Sequence, residues 1–163
     1  MQDVATHFNF ISQLSTAPYQ RDFHSESNQE NRVTMMLTSV IMLGDIGHAA
    51  KEFDLHAEWS LLIREEFFRQ GDEERSRGMD ISPLCDRHTT PPLPESQLGF
   101  FDFVAKPLFS AVAKVPRFLR VRTYLLQVDT NRRTYVVAVG ARLLGMRPWL
   151  THVLLPALAP AGR

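Results

Sequence analysis

With 163 residues, 44% of them apolar and 22% charged, the chain is long enough to bury one core and too apolar for wholesale disorder. A single cysteine, Cys85, excludes an internal disulfide, and no run reaches the ~18 uncharged apolar residues that a membrane span requires. No secretory stretch opens the sequence, so a reducing, cytoplasmic setting is expected.

The formal net charge of zero conceals a split. Residues 1–102 carry 17 Asp/Glu against 8 Lys/Arg, and residues 103–163 carry one Asp against 10 Lys/Arg. Such a split can mark a basic tail for an acidic surface, nucleic acid or anionic lipid. Here the arginines are scattered among apolar residues and form no run. The reading is therefore a terminal segment of different origin, with no nucleic-acid partner.

In chain order, residues 18–32, PYQRDFHSESNQENR, form a polar connector. Val33, Met36, Leu37, Val40 and Ile41 recur at i, i+3, i+4, i+7 and i+8, predicting a helix with one apolar face that ends near Gly44. Leu55, Trp59, Leu62, Ile63 and Phe67 predict a second helix, N-capped by Asp54 and ending around Gly71. The stretch GMDISPLCDRHTTPPLPES then reads as a long loop, of the kind that is functional or mobile. A third helix is expected after a Ser96 cap, with Phe100, Phe101, Val104 and Leu108 on one side and a kink at Pro107. Tyr135–Val139 is a short, ambiguous strand candidate, and the class is all-α. From Val136 to Arg163 apolar residues are interrupted by Arg142, Arg147, Pro148, Pro156 and Pro160. This segment is read as an unrelated extension, with a peripheral membrane segment as the weaker alternative.

Several residues bear on chemistry. Gln97 falls close to the buried face of the third helix, where a primary amide needs partners. It either bonds neighbouring backbone or reads a planar ligand, with Phe100 one turn on as a stacking face. Glu66 lies on the apolar stripe of the second helix, as a paired or rim carboxylate or a site residue. The histidines at 7, 24, 48, 56, 88 and 152 show no zinc-binding spacing, and His56 is expected at the surface. Asp45, three residues before His48 in MLGDIGHAAK, reads as a turn or cap residue on spacing alone, with metal ligation as the alternative.

Taken in order, MLGDIGHAAK, LHAEWSLLIREEFFRQGDEERSRGMDISPLCDRH and SQLGFFDFVAKPLF resemble the class I 3',5'-cyclic nucleotide phosphodiesterases. The resemblance is clear to about residue 113, includes QDVATHF with Asp3 and His7, and continues faintly through LLQVDTNRRTY to about 135. It implies an all-helical catalytic domain that hydrolyses cAMP or cGMP to the 5'-monophosphate, using a hydroxide held by two divalent metals, zinc with magnesium or manganese. By this resemblance Asp45 is a metal ligand, Gln97 bonds the purine edge, Phe100 and Ile63 clamp the base, and Trp59 and Leu84 line the pocket. His48 stands where cAMP-selective members often carry asparagine and the calmodulin-stimulated branch carries histidine, which implies relaxed selectivity. The HNxxHA and HD motifs, which carry the general-acid histidine and most metal ligands, do not occur in this sequence. The chain alone is therefore expected to be inactive. The alternative is a non-catalytic fragment that binds a purine nucleotide or a partner.

Overall fold

The computed structural model describes residues 4–16, 25–115, 118 and 120–144. Asp3, the histidines at 24 and 152, and the segment from 145 onward fall outside them. Six helices carry the fold: α1 (Val4–Thr16), α2 (Gln29–Asp45), α3 (Phe53–Ser76), α4 (Leu93–Phe100), α5 (Lys106–Ala113) and α6 (Val121–Leu143). No strand occurs among the described residues, and no helix among them is long and apolar enough to cross a membrane.

Several element boundaries differ from expectation, each for a local reason. The polar connector forms a 3-10 turn at Glu26–Asn28 and becomes α-helical at Gln29, because Gln, Glu and Arg are good helix formers, while Arg32 donates to the Ser25 carbonyl at 2.6 Å and secures the entry. The N-cap of α3 is Glu52, and Asp54 sits inside the first turn, where its charge suits the helix dipole. α3 runs past Gly71 to Ser76. Gly71 is there for space: an added Cβ would lie 2.7 Å from the backbone carbonyl carbon of Cys85. α4 begins at Leu93 with Pro94 in its first turn, where a missing N–H is harmless, and Ser96 is an interior residue bonding back to the Leu93 carbonyl at 3.0 Å. The expected kink at Pro107 takes the form of a π-turn, Phe101–Ala105, in which the Lys106 N–H reaches five residues back to Phe101. Tyr135–Val139 is helical, within α6. Its β-propensity yields to the tertiary packing of the helix, in which Val121, Val128, Asn131 and Tyr135 share one buried face.

The core lies where α5 packs on α6 and α1, with α4 on α6. Phe101, Ala105, Leu108, Val112 and Val128 are fully buried there. Each of the larger side chains gains roughly 1.5–3 kcal/mol by leaving water. The basic α6 meets acidic neighbours, Arg142 pairing with Glu95 at 3.1 Å and Arg132 holding Asp102 bidentately, while its one acidic residue, Asp129, pairs with Lys106 of α5 at 2.9 Å.

α2 and α3 behave differently. The buried residues of α2 are Ser39 and Met42, and those of α3 are His56, Ser60, Phe68 and Gly71. Most positions of their apolar stripes face solvent, with Met36, Ile63 and Phe67 half-buried. Leu37, Val40 and Ile41 are 59%, 54% and 60% exposed, and Leu62 is 58% exposed. Glu66, on the same side as these, is exposed too.

Candidate functional site

The site begins with the 3-10 turn Gly47–Ala50 that links α2 to α3. Short backbone bonds form the turn, Ala49 N–H to Ile46 at 3.0 Å and Lys51 N–H to His48 at 3.1 Å. The outward carbonyls of Ala49 and Lys51 are taken by one side chain of α6: Asn131 Nδ2 donates to them at 3.0 and 2.8 Å. Asn131 is completely buried, and Gln127 Nε2 donates to its Oδ1 at 3.0 Å.

The turn delivers His48 to the buried face of α3. His48 Nδ1 lies 3.0 Å from His56 Nδ1, with centroids 5.0 Å apart and planes within 5°. That nitrogen separation is too short for rings lying face to face, so the two near-parallel imidazoles meet nitrogen to nitrogen and share one proton. His56 was expected at the surface and is fully buried. Its apolar neighbours explain the difference: Phe101, Tyr135 and Phe53 pack around its ring at 5.1, 5.7 and 6.4 Å. Burial, with the neighbouring His48 second, pulls the His56 pKa down to about 4, and burial also lowers that of His48. Both imidazoles are therefore neutral at pH 7. Burial likewise pushes the Tyr135 phenol up to about 12.

One helical turn on, Ser60 continues the chain of polar groups. Its hydroxyl is 3.4 Å from His56 Nε2, 2.9 Å from the His56 carbonyl and 3.2 Å from Gln97 Oε1 on α4. With His56 Nε2–H donating to Ser60, the single Ser60 proton is shared between the His56 carbonyl and Gln97 Oε1, and the Gln97 NH2 group remains available to a ligand. Phe100, one turn after Gln97, lies parallel to His48 at 5.5 Å and 13°. Gln97, Phe100 and His48, separated in sequence by about 50 residues, thus form one cluster with His56 and Ser60.

Other expected site residues stand apart from this network. Trp59 and Leu84 are exposed and Ile63 is half-buried on α3. Leu84 occupies the loop between α3 and α4 with φ +70°, a left-handed conformation unusual for a branched side chain. That loop is firmly tied: Glu74 accepts both the N–H and the hydroxyl of Ser82 at 2.7 Å, and Arg87 pairs with Asp72 at 2.6 Å. Asp45 closes α2 and is exposed. Among the described residues no three His, Cys, Asp or Glu side chains gather to hold a metal. A two-metal centre therefore does not fit the donors described here without further ligands.

Sequence reasoning missed His56, Ser60, Asn131 and Tyr135. A signal was present in their i, i+4 spacing, which places His56 with Ser60 and Asn131 with Tyr135 on common helix faces.

Comparison with known proteins agrees with the fold and the motifs. A family profile described as 3',5'-cyclic nucleotide phosphodiesterase matches residues 1–124. The chain is 36% identical over 113 residues to the dual specificity calcium/calmodulin-dependent 3',5'-cyclic nucleotide phosphodiesterase 1B of Bos taurus, covering 69% of this chain and 20% of that protein. It is 39% identical over 110 residues to the 1C form of Homo sapiens, covering 68% of this chain and 14% of that protein. The solved structure of LmjPDEB1 in complex with IBMX superposes with a TM-score of 0.72 at 26% identity, over 85% of this chain and 40% of that one. The chain thus spans a fifth or less of the length of these curated relatives. With most of its length matched by the profile, the chain belongs to the 3',5'-cyclic nucleotide phosphodiesterase family.

Proposed function

We propose that this chain supplies the purine-recognition part of a cyclic nucleotide phosphodiesterase site acting on cAMP, cGMP or both. The observation that carries this reading is the Gln97 amide, bonded through Oε1 to Ser60 beside the parallel rings of Phe100 and His48. Held in this way, Gln97 offers N–H donors to a purine acceptor, while Phe100 offers an aromatic face. Ile63, Trp59 and Leu84 are the apolar residues proposed to close around the base. The similarity to dual specificity relatives supports relaxed selectivity, with His48 as the residue that permits it.

In the same reading Asp45 is one ligand of a divalent metal, zinc or magnesium or manganese, whose remaining ligands come from outside the described residues. Such metals would lower the pKa of the attacking water and neutralise phosphate charge. One exposed carboxylate does not retain a zinc ion, because zinc sites use three or four protein ligands. The isolated chain is therefore proposed to bind nucleotide weakly without hydrolysing it.

Calorimetry with cAMP, cGMP and AMP tests recognition. Gln97→Ala is expected to weaken binding about tenfold, the equivalent of one lost hydrogen bond. An absence of heat with the wild-type chain counts against the purine site. Zinc- and magnesium-dependent hydrolysis by the purified chain, abolished by Asp45→Asn, would overturn the division between binding and catalysis.

A further inference from the structure

We infer that Asn131, on α6 beyond the segment matched by the family profile, is the positioning residue that holds His48 against His56. The inference rests on the purine-recognition reading only for its consequence for binding. The bonding of α3 starts at its N-cap, where the His56 N–H donates to the Glu52 carbonyl at 2.9 Å, so the carbonyls of Ala49 and Lys51 lie ahead of the helix ladder. Both protons of the Asn131 amide are spent on these two carbonyls, and its oxygen receives Gln127. The amide is thus satisfied in a site with no solvent access, where an unpaired donor or acceptor is expensive.

Few side chains can replace it. Aspartate has the shape but brings oxygen against oxygen, leucine has no donor, and glutamine is one methylene too long for the space. Ala49, the residue clamped by Asn131, directly follows His48. Its anchoring fixes where the imidazole meets His56 and Phe100, and hence the Ser60–Gln97 bond beyond them. α6 is therefore more than a cover for the core: it sets the register of the turn on which the site stands.

The test uses the whole chain labelled with 15N-histidine and reads the ring nitrogens of His48 and His56 at neutral pH without nucleotide. Asn131→Leu is expected to shift both rings toward the solvent-averaged mixture of tautomers. Val128→Ala, which opens the same buried face of α6 one turn away, is the control for simple destabilisation and is expected to leave the rings in place. Unchanged ring signals in Asn131→Leu, or an equal displacement in Val128→Ala, overturn the inference. Should Asn131→Leu not fold, Gln127→Leu takes its place. Freeing the amide to rotate is expected to give a smaller shift of the same sign, and no shift overturns the inference. Displaced rings in a chain whose wild type binds no nucleotide would leave Asn131 a positioning residue and remove the purine reading.

Discussion

His56 gains no charge from its surroundings. It is a base kept neutral by burial and by an adjacent imidazole, with a pKa near 4 where an unfolded chain has 6.5. Between those two values the unfolded state binds a proton that the folded state refuses, so stability rises with pH across the window. The contribution of His56 is complete above pH 6.5 and is lost as pH falls toward 4. The lowered carboxylates, Asp72, Glu74, Asp86 and Asp102, act in a lower window, because their stabilisation is lost only as they protonate. Melting curves recorded from neutral to mildly acidic pH are expected to show the Tm of wild type falling before the carboxylates titrate. In His56→Gln this part of the profile is expected to be flatter; a profile as steep as wild type would refute the assignment. Such behaviour was not legible in the residue types. His56 reads as a surface histidine because its burial depends on Phe101 and Tyr135, which lie 45 and 79 positions away. Gln97 was legible, since an amide beside a run of phenylalanines needs a partner wherever it lies.

At the scale of elements, periodicity identified helices and misjudged their ends. Gly71 resembles a helix stop, yet it occupies the middle of a contact with the Cys85 backbone that only the folded chain contains. Gly71→Ala improves intrinsic helix propensity by up to about 1 kcal/mol. It also drives a methyl group into a backbone that hydrogen bonds on either side hold in place, from Glu74 to Ser82 and from Arg75 to Asp86. The clash is expected to dominate, with a net loss of about 2 kcal/mol in denaturant unfolding. A stabilised variant would show that the loop yields. Leu84 presents the opposite case. Its left-handed backbone costs about 1 kcal/mol, and its side chain is 59% exposed, so it recovers little of this by burial. Leu84→Gly is expected to raise Tm. If Leu84 lines the base pocket as proposed, nucleotide affinity falls in the same variant, and the strain is retained for binding. A Leu84→Gly chain with lower Tm would place the residue in the structural framework.

For the whole molecule, the apolar stripes predicted along 33–41 and 55–67 are present, but most of their positions are exposed. Hydrophobic periodicity locates a face that is meant to be covered, and it cannot tell whether the cover belongs to the described residues. The charge split is partly explained within the chain, because the basic α6 pairs with Glu95 and Asp102, although exposed pairs of this kind add at most about 1 kcal/mol each. Among the described residues the apolar surface finds no such answer. Val33, Leu37, Val40 and Ile41 are each about half exposed or more on one helix. Burying even half of such a side chain is worth roughly 1 kcal/mol, so several together favour association over isolated solvation. Sedimentation velocity is expected to show the chain self-associating at roughly tens of micromolar. Leu37→Glu combined with Ile41→Lys introduces charges three and four residues from the neighbouring stripe positions and is expected to restore the monomer. Because both positions are about 60% exposed, the unfolding free energy should change by less than about 0.5 kcal/mol. A wild-type chain that sediments as a monomer would show that these stripes are solvated without consequence. A double variant that unfolds would show that they are packed more tightly than their exposure allows.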